Sequence, residues 1–439
     1  MQAPHKCSVV ILGAGFGGLA AAKEFAHCCE GGLAKVTVID RSPFHTFTPL
    51  LYEAATAFVE HENLGTSQLL RSGVAVDAAE LLASWRCDFL QDEVLGIDWD
   101  ARQVRVKSGA AVPFDHLIIA MGAEVNFFGI SGLKEHAYIL KNAHDADKLR
   151  QRLHDLLHKK EAGRQDSFEI VIGGGGATGV ELAAELTMFL RQHMRKGHLG
   201  PRDFRISIVE ASPRLLGAMS PEVSALTLDR LHALGVHVYL DTAIKEAGMS
   251  HVALVPRACK AGETPDQLQC EFTGLGSKDV RADITVWCGG IRGSSSLEAL
   301  GLPLDERGKR IPVGVGMEIA GKQDAYAIGD CTLLMNPASK MPAPWLAQAA
   351  MRQGRVAAGR IIHKVKGGAM PEYAFPVFPV VVPLGGKFCV AVAFGRTWSG
   401  FAGWLIHEIA TLRYFMSIMR PLRAVQYWWK GARMYAGND

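Results

Sequence analysis

Three glycines followed by an acid occur twice in this chain at spacings that suit one kind of chemistry. In SVVILGAGFGGL, residues 8–19, Gly13, Gly15 and Gly18 close an apolar, β-branched run and open an alanine-rich one. In such a stretch the first glycine permits a tight turn, the second lets a pyrophosphate approach the backbone, and the third lets a helix pack on the strand. The run KVTVID then ends in Asp40, 22 residues after Gly18, where a carboxylate can accept the ribose hydroxyls of a dinucleotide. FEIVIGGGGATGVELAAEL, residues 168–186, restates the pattern with Gly174, Gly176 and Gly179, and Thr178 adds a hydroxyl at the turn. Its acid is Glu210, at the end of RISIVEAS. A single glycine motif is weak evidence, because glycine-rich strand-to-helix turns also occur without a ligand. Two, each with its own strand, helix and acid, specify two dinucleotide sites.

The elements that must hold these residues follow from the pattern. Each glycine set needs a buried strand before it and a helix whose free N–H groups face the phosphates. Glu210 comes 31 residues after Gly179, so the second helix should extend through LTMFLRQHMRKG before a loop with Gly197, Gly200 and Pro201. A carboxylate at Glu210 repels a 2′-phosphate and favours NADH over NADPH. Arg214 complicates this, since it could pair with that phosphate or be an ordinary solvated loop arginine. Residues 83–119 alternate short strand-like runs, and Gly122 lets the chain leave the strand HLIIAMG. DITVWCGGIRG reads as the return crossing between the two folds, and DAYAIGDC as a short strand ending in Gly329 and Asp330.

With 439 residues the chain is long enough for two or three domains. A net charge of +3 gives no nucleic-acid signature of the kind a strongly basic domain would. Nine cysteines with no C-x-x-C pair point to a reduced, intracellular protein. No signal or transit peptide is evident, and no metal site is expected. The most apolar long stretch, residues 374–395, carries Pro376, Pro379, Pro383 and Lys387, which favours strands or loops over a membrane span.

VVILGAGFGG, FTPLLYEAATA, AMGAEVNFFG, IVIGGGGATGVELAAEL, VWCGGI, AYAIGDC and PAPWLAQAAMRQG, in this order from about residue 8 to 360, resemble the type II NADH:quinone oxidoreductases. The resemblance implies an α/β fold of two Rossmann-like dinucleotide-binding domains, for FAD and NADH, plus a C-terminal amphipathic helical membrane-attachment region. The expected division is an FAD domain at 1–135 and 283–370, an NADH domain at 136–282, and a membrane-attachment region at 371–439. A non-covalent FAD would take a hydride from NADH and pass two electrons to a membrane quinone, without proton pumping. Gly13, Gly15, Phe16, Gly17, Gly18, Asp40, Pro49, Leu50, Gly122 and Asp330 would contact FAD, with the Val94 backbone near its adenine. Gly174, Gly176, Thr178, Gly179, Glu181, Glu210 and Gly290 would line NADH. Glu181, read as lying in the first turn of the second nucleotide helix, would act near the nicotinamide and flavin, or would simply be stabilised by the helix N-terminus.

The family's quinone segment reads A-Q-x-A-x-Q. Here AQAAMRQ keeps Gln348, places Arg352 where the second glutamine belongs and puts Gln353 one step later, about 100 degrees around a helix. Thr48 also stands where bacterial relatives commonly have glutamine. In the tail, Leu405, Ile409, Leu412, Met416 and Met419 project onto one helical stripe, and Pro421 breaks or starts a helix. Beyond it Leu422, Val425, Trp428, Trp429 and Ala432 gather opposite Arg423, Gln426, Lys430 and Arg433. A basic amphipathic helix with paired tryptophans suits a bilayer interface, and the resemblance places the protein peripherally on the cytoplasmic face of the cell membrane. The competing reading of the same face is a homodimer interface or a lid on the core. The competing functions are a soluble NAD(P)H reductase with a protein or disulfide acceptor, and a flavoprotein redox sensor with little turnover.

Overall fold

The computed structural model describes residues 6–59, 65–256, 278–368 and 370–438. Cys259 and Cys270 lie outside them. The chain divides into two compact units: Met1–Thr46, Ala75–Glu124 and Ile291–Phe378 form the first, and Phe47–Val74, Val125–Gly290 and Pro379–Asp439 the second.

The first unit is built on a five-stranded, all-parallel sheet with Cys7–Leu12 at its centre. Ala34–Asp40 and then Asp88–Gln91 lie on one side, His116–Ile119 and then Ala325–Ala327 on the other. From Val9 to Leu12 the central strand is apolar and buried, because helices cover parallel sheets. Helix Phe16–Glu24 packs on helix Ala347–Lys366. Their crossing is close because Gly354 faces Gly17: a Cβ at Gly354 would run into the Gly17 carbonyl. Residues 83–119 do alternate short strands. Two of them join the parallel sheet, and Val94–Asp98, Gln103–Val106 and Ala111–Pro113 form an antiparallel sheet of their own. Val10, Leu12, Ile97, Val104, Leu117 and Leu297 share one core beneath them.

The second unit repeats the sheet. Phe168–Gly173 is central, Phe204–Val209 and His237–Tyr239 lie on one side, Ile284–Trp287 and Ala137–Tyr138 on the other, all parallel. Helix Ala177–Arg195 is the long helix the spacing to Glu210 requires. Helix Ala143–Glu161 starts at a capping box, Asn142 with Asp145, and its Asp147 pairs with Arg71.

The C-terminal residues of this unit are strands at Val380–Pro383, Cys389–Ala393 and Arg396–Gly400, then helices Phe401–Ile418 and Pro421–Tyr435. Pro421 starts the second helix, where its missing N–H costs nothing. These helices are docked on the unit. Phe47 stacks on Tyr414 with ring centroids 4.8 Å apart, and the Tyr435 hydroxyl donates to the Leu70 carbonyl at 3.1 Å. Asn438 is buried: its amide donates to Thr56 O at 3.0 Å and Glu185 Oε2 at 3.1 Å, and its Oδ1 accepts from the Phe58 N–H at 3.0 Å.

The expected apolar faces are therefore trimmed. Leu405, Ile409 and Met416 are exposed with Leu412 half-buried, but Met419 is buried, because the first helix ends at Ile418 and the chain turns inward. Leu422, Val425 and Trp429 are exposed, whereas the Trp428 indole N–H donates to Glu408 Oε2 at 2.7 Å. A buried or half-buried indole needs such an acceptor. Among the described residues no helix is long and apolar enough to cross a membrane.

Candidate functional site

Both glycine turns have one geometry. Gly13 has φ +110° and Gly174 φ +104°, a region closed to other residues, and a side chain at either would collide with the backbone of the next strand end, at Ala120 or at Cys288–Gly289. Gly18 and Gly179 lie against the Gly13 and Gly174 carbonyls, so that helix and strand touch. Among the described residues, a Cβ at Gly15 or Gly176 would meet nothing within 4 Å. Each of these is the residue before its helix, with no side-chain cap and no acid in the first turn. Neither helix start is neutralised by a capping side chain or a first-turn acid, and the positive end of a helix dipole is where an anion binds well.

The acids are set identically. Asp40 Oδ2 accepts the Ala14 N–H at 2.7 Å and Oδ1 the Ser42 N–H at 2.8 Å. Glu210 Oε2 accepts the Gly175 N–H at 2.6 Å and Oε1 the Ser212 N–H at 2.7 Å. Each carboxylate is fixed at the lip of its turn with lone pairs left for ribose hydroxyls. The extra methylene of Glu210 is accommodated because Gly175 stands where the first turn has Ala14: a Cβ there would meet Leu215 and Glu210 itself. Arg214 fits neither sequence reading. Its guanidinium donates to Met219 O at 2.8 Å and Gly217 O at 2.7 Å, so it braces the loop.

Further residues of the first unit join its turn. Gly329, with φ +76°, donates its N–H to Gln353 Oε1 at 2.6 Å, which fixes the backbone immediately before half-buried Asp330. Gln353 is the amide displaced in the sequence by one step. The displacement carries it to the buried side of helix Ala347–Lys366, while Gln348 and Arg352, four apart, share the exposed side. His45 was not legible as a site residue. Its ring packs edge-on against Phe16 at 5.0 Å, and Nδ1 lies 3.0 Å from Ala14 O. Burial pushes its pKa down to about 4; since a carbonyl only accepts, the neutral ring carries its proton on Nδ1. Gly122 has φ +66° just after His116–Ile119, and Val94 lies in the antiparallel sheet.

In the second unit, Thr178 is exposed at the turn and Gly290 lies against the Phe128 ring. Pro49 and Leu50 belong to this unit, in the short turn Thr48–Leu50. Glu181 is the fifth residue of helix Ala177–Arg195, in its second turn and not its first. The helix N-terminus does not dominate there: burial raises the carboxyl to about 8. At neutral pH Glu181 is therefore mostly a protonated acid, able to give a proton.

The model of the pyridine nucleotide-disulphide oxidoreductase family matches residues 7–354. The chain is 27% identical over 402 residues to the type II NADH:quinone oxidoreductase of Staphylococcus aureus strain NCTC 8325, covering 91% of this chain and 92% of that one. The protein of that name from Staphylococcus saprophyticus is matched at the same identity. Among solved structures, NDH2 from Plasmodium falciparum in complex with NADH superposes with a TM-score of 0.79 at 18% identity, covering 98% of this chain and 97% of that one.

Proposed function

The chain belongs to the pyridine nucleotide-disulphide oxidoreductase family, and from that premise we infer that it is a type II NADH:quinone oxidoreductase. It is an FAD-dependent enzyme that moves a hydride from NADH to FAD and two electrons on to a quinone, without pumping protons. The observation that carries this is the duplication: two open glycine turns of the same backbone geometry, each with an acid bonded at its lip. Bound FAD supplies the two-electron step between nicotinamide and quinone.

We assign the first turn to FAD and the second to NADH. Gly13, Gly15, Phe16, Gly17 and Gly18 present the helix N-terminus to the FAD pyrophosphate, Asp40 takes its ribose, and Asp330, positioned through Gly329 and Gln353, takes the other end. Gly174, Gly176, Thr178 and Gly179 hold NADH, and Glu210 selects it against NADPH. Arg214 is committed to loop carbonyls and so does not offset that selection. Protonated Glu181 gives a proton during turnover, and on the first unit Gln348 with Arg352 polarises the quinone as its oxygen gains charge. A disulfide acceptor would need a cysteine pair at a nucleotide helix, and neither Phe16–Glu24 nor Ala177–Arg195 contains a cysteine.

The exposed Leu405, Ile409, Met416, Leu422, Val425 and Trp429, with exposed Arg413, Arg420, Lys430 and Arg433 beside them, support peripheral attachment to an anionic leaflet, which we place on the cytoplasmic side.

The test is direct. Purified protein should be yellow, release intact FAD on denaturation, and oxidise NADH in the presence of a short-chain quinone. Protein that takes up no FAD, or that oxidises NADH only with a disulfide, overturns the assignment. Arg352→Gln should change turnover with quinone but not with a soluble dye; equal effects in both assays remove Arg352 from the quinone site.

A further inference from the structure

Two thiols that play no part in this chemistry meet in the first unit. Half-buried Cys29 lies in the short helix Ala26–Glu30, and buried Cys87 immediately precedes Asp88–Gln91, the edge strand of the parallel sheet. The strand Ala34–Asp40 brings these distant parts of the sequence together. Its Thr37 pairs with Asp88, next to Cys87, and the N–H of the preceding Val36 is directed at the Cys29 sulfur. The neighbours of the two cysteines also meet: Arg86 pairs with Glu30 at 3.5 Å, and Lys35 with Asp88 at 3.5 Å. Cys87 Sγ is further held 3.6 Å from the carbonyl oxygens of Ala22 and Trp85.

We propose that Cys29 and Cys87 form an oxidisable dithiol that closes to a disulfide when the chain meets hydrogen peroxide. Cys29 is the attacking sulfur. The Cys87 thiol and the Val36 N–H both donate to it, which lowers its pKa and favours the thiolate, while the bond to the Cys29 sulfur, and then burial, raise that of Cys87. The Cys29 thiolate takes one peroxide oxygen, the O–O bond breaks, and the departing hydroxide collects a proton to become water. Cys87 sulfur then attacks the resulting sulfenic acid, the S–O bond breaks, and the thiol proton leaves with the hydroxyl as a second water. Two thiols lose two electrons in all, and the peroxide gains them. Three other described thiols are poor competitors: burial pushes Cys7 up to about 11 and Cys288 and Cys331 to about 12.

The bond would fasten the sheet's edge strand to the helix that leads into the acid strand of the first turn. An edge strand has a neighbour on one side only, so the sheet opens most readily there. A tie at this point limits that opening.

The full chain, reduced and then exposed to one equivalent of hydrogen peroxide, is alkylated, digested and analysed by mass spectrometry. The expected result is the loss of two of the nine thiols, a single Cys29–Cys87 linked peptide, and its disappearance on treatment with dithiothreitol. Cys87→Ser should leave Cys29 as a sulfenic acid that dimedone traps, and Cys28→Ser should leave the link intact. A link through Cys28 or Cys7, a link between chains, or full retention of thiols overturns the proposal. The wild-type peptide map decides the matter even if a variant fails to fold.

Discussion

Replacing Glu181 by glutamine tests the acid at the centre of the proposed proton transfer. The side chain is half-buried, and its carboxyl is raised from 4.5 to about 8 by desolvation. Tyr52 and Cys288 lie near enough to feel its charge, and Glu53 and Glu185 act with it on Tyr52 and Cys389. A carboxyl whose folded pKa lies above its unfolded one keeps its proton in the native state while the unfolded chain releases it. Native stability therefore falls as pH rises from about 4.5, and levels off above about 8. At 1.36 kcal/mol per unit, the full swing is about 5 kcal/mol. Glutamine has nearly the same shape and no proton to lose, so the variant should gain on the wild type steadily across that window. Urea unfolding of both proteins at several pH values reads the difference. A gap that stays constant from about pH 5 to 8 would refute the buried-acid argument. The same variant should lose turnover with quinone at neutral pH while keeping NADH-to-dye turnover, since a one-electron dye takes no proton.

Glu210→Gln should narrow the preference for NADH over NADPH by removing repulsion of the 2′-phosphate; a wild type that already uses both equally would show that Glu210 does not select. Gln353→Leu deprives the Gly329 N–H of its acceptor, at a cost of about 1–3 kcal/mol, and should weaken FAD retention in ultrafiltration; unchanged retention would leave Gln353 a packing residue. Asn438→Ala strands partners in the second unit and should lower its unfolding free energy by about 1–3 kcal/mol, read by denaturant titration. Leu422→Gln with Trp429→Gln alters only exposed residues and should reduce partition onto anionic vesicles by about tenfold or more, with stability unchanged. These substitutions test attachment more cleanly than deletion of residues 402–439, because that segment also contributes Tyr435 and Asn438 to the interior.

The sequence alone determined what depends on residue type and short spacing. Both glycine turns, both strand-end acids, the long second helix and the helix-starting proline are written in adjacent residues, because φ > 0, close backbone approach and helix phase are local requirements. Tertiary structure decided what depends on which neighbour arrives. Helical projection puts Trp428 with Trp429 and Met419 with Met416, but Glu408 turns Trp428 inward and the end of the first tail helix buries Met419. Arg214 is equally able to face a phosphate or a carbonyl; the loop carbonyls of Gly217 and Met219 settle it. Counting along a helix finds that Gln353 is out of step, yet its role appears only when Gly329 comes within hydrogen-bond reach. The raised pKa of Glu181 and the meeting of Cys29 with Cys87 have no local signature, since burial and contact between distant segments are set by the sheet order, not by the residues themselves.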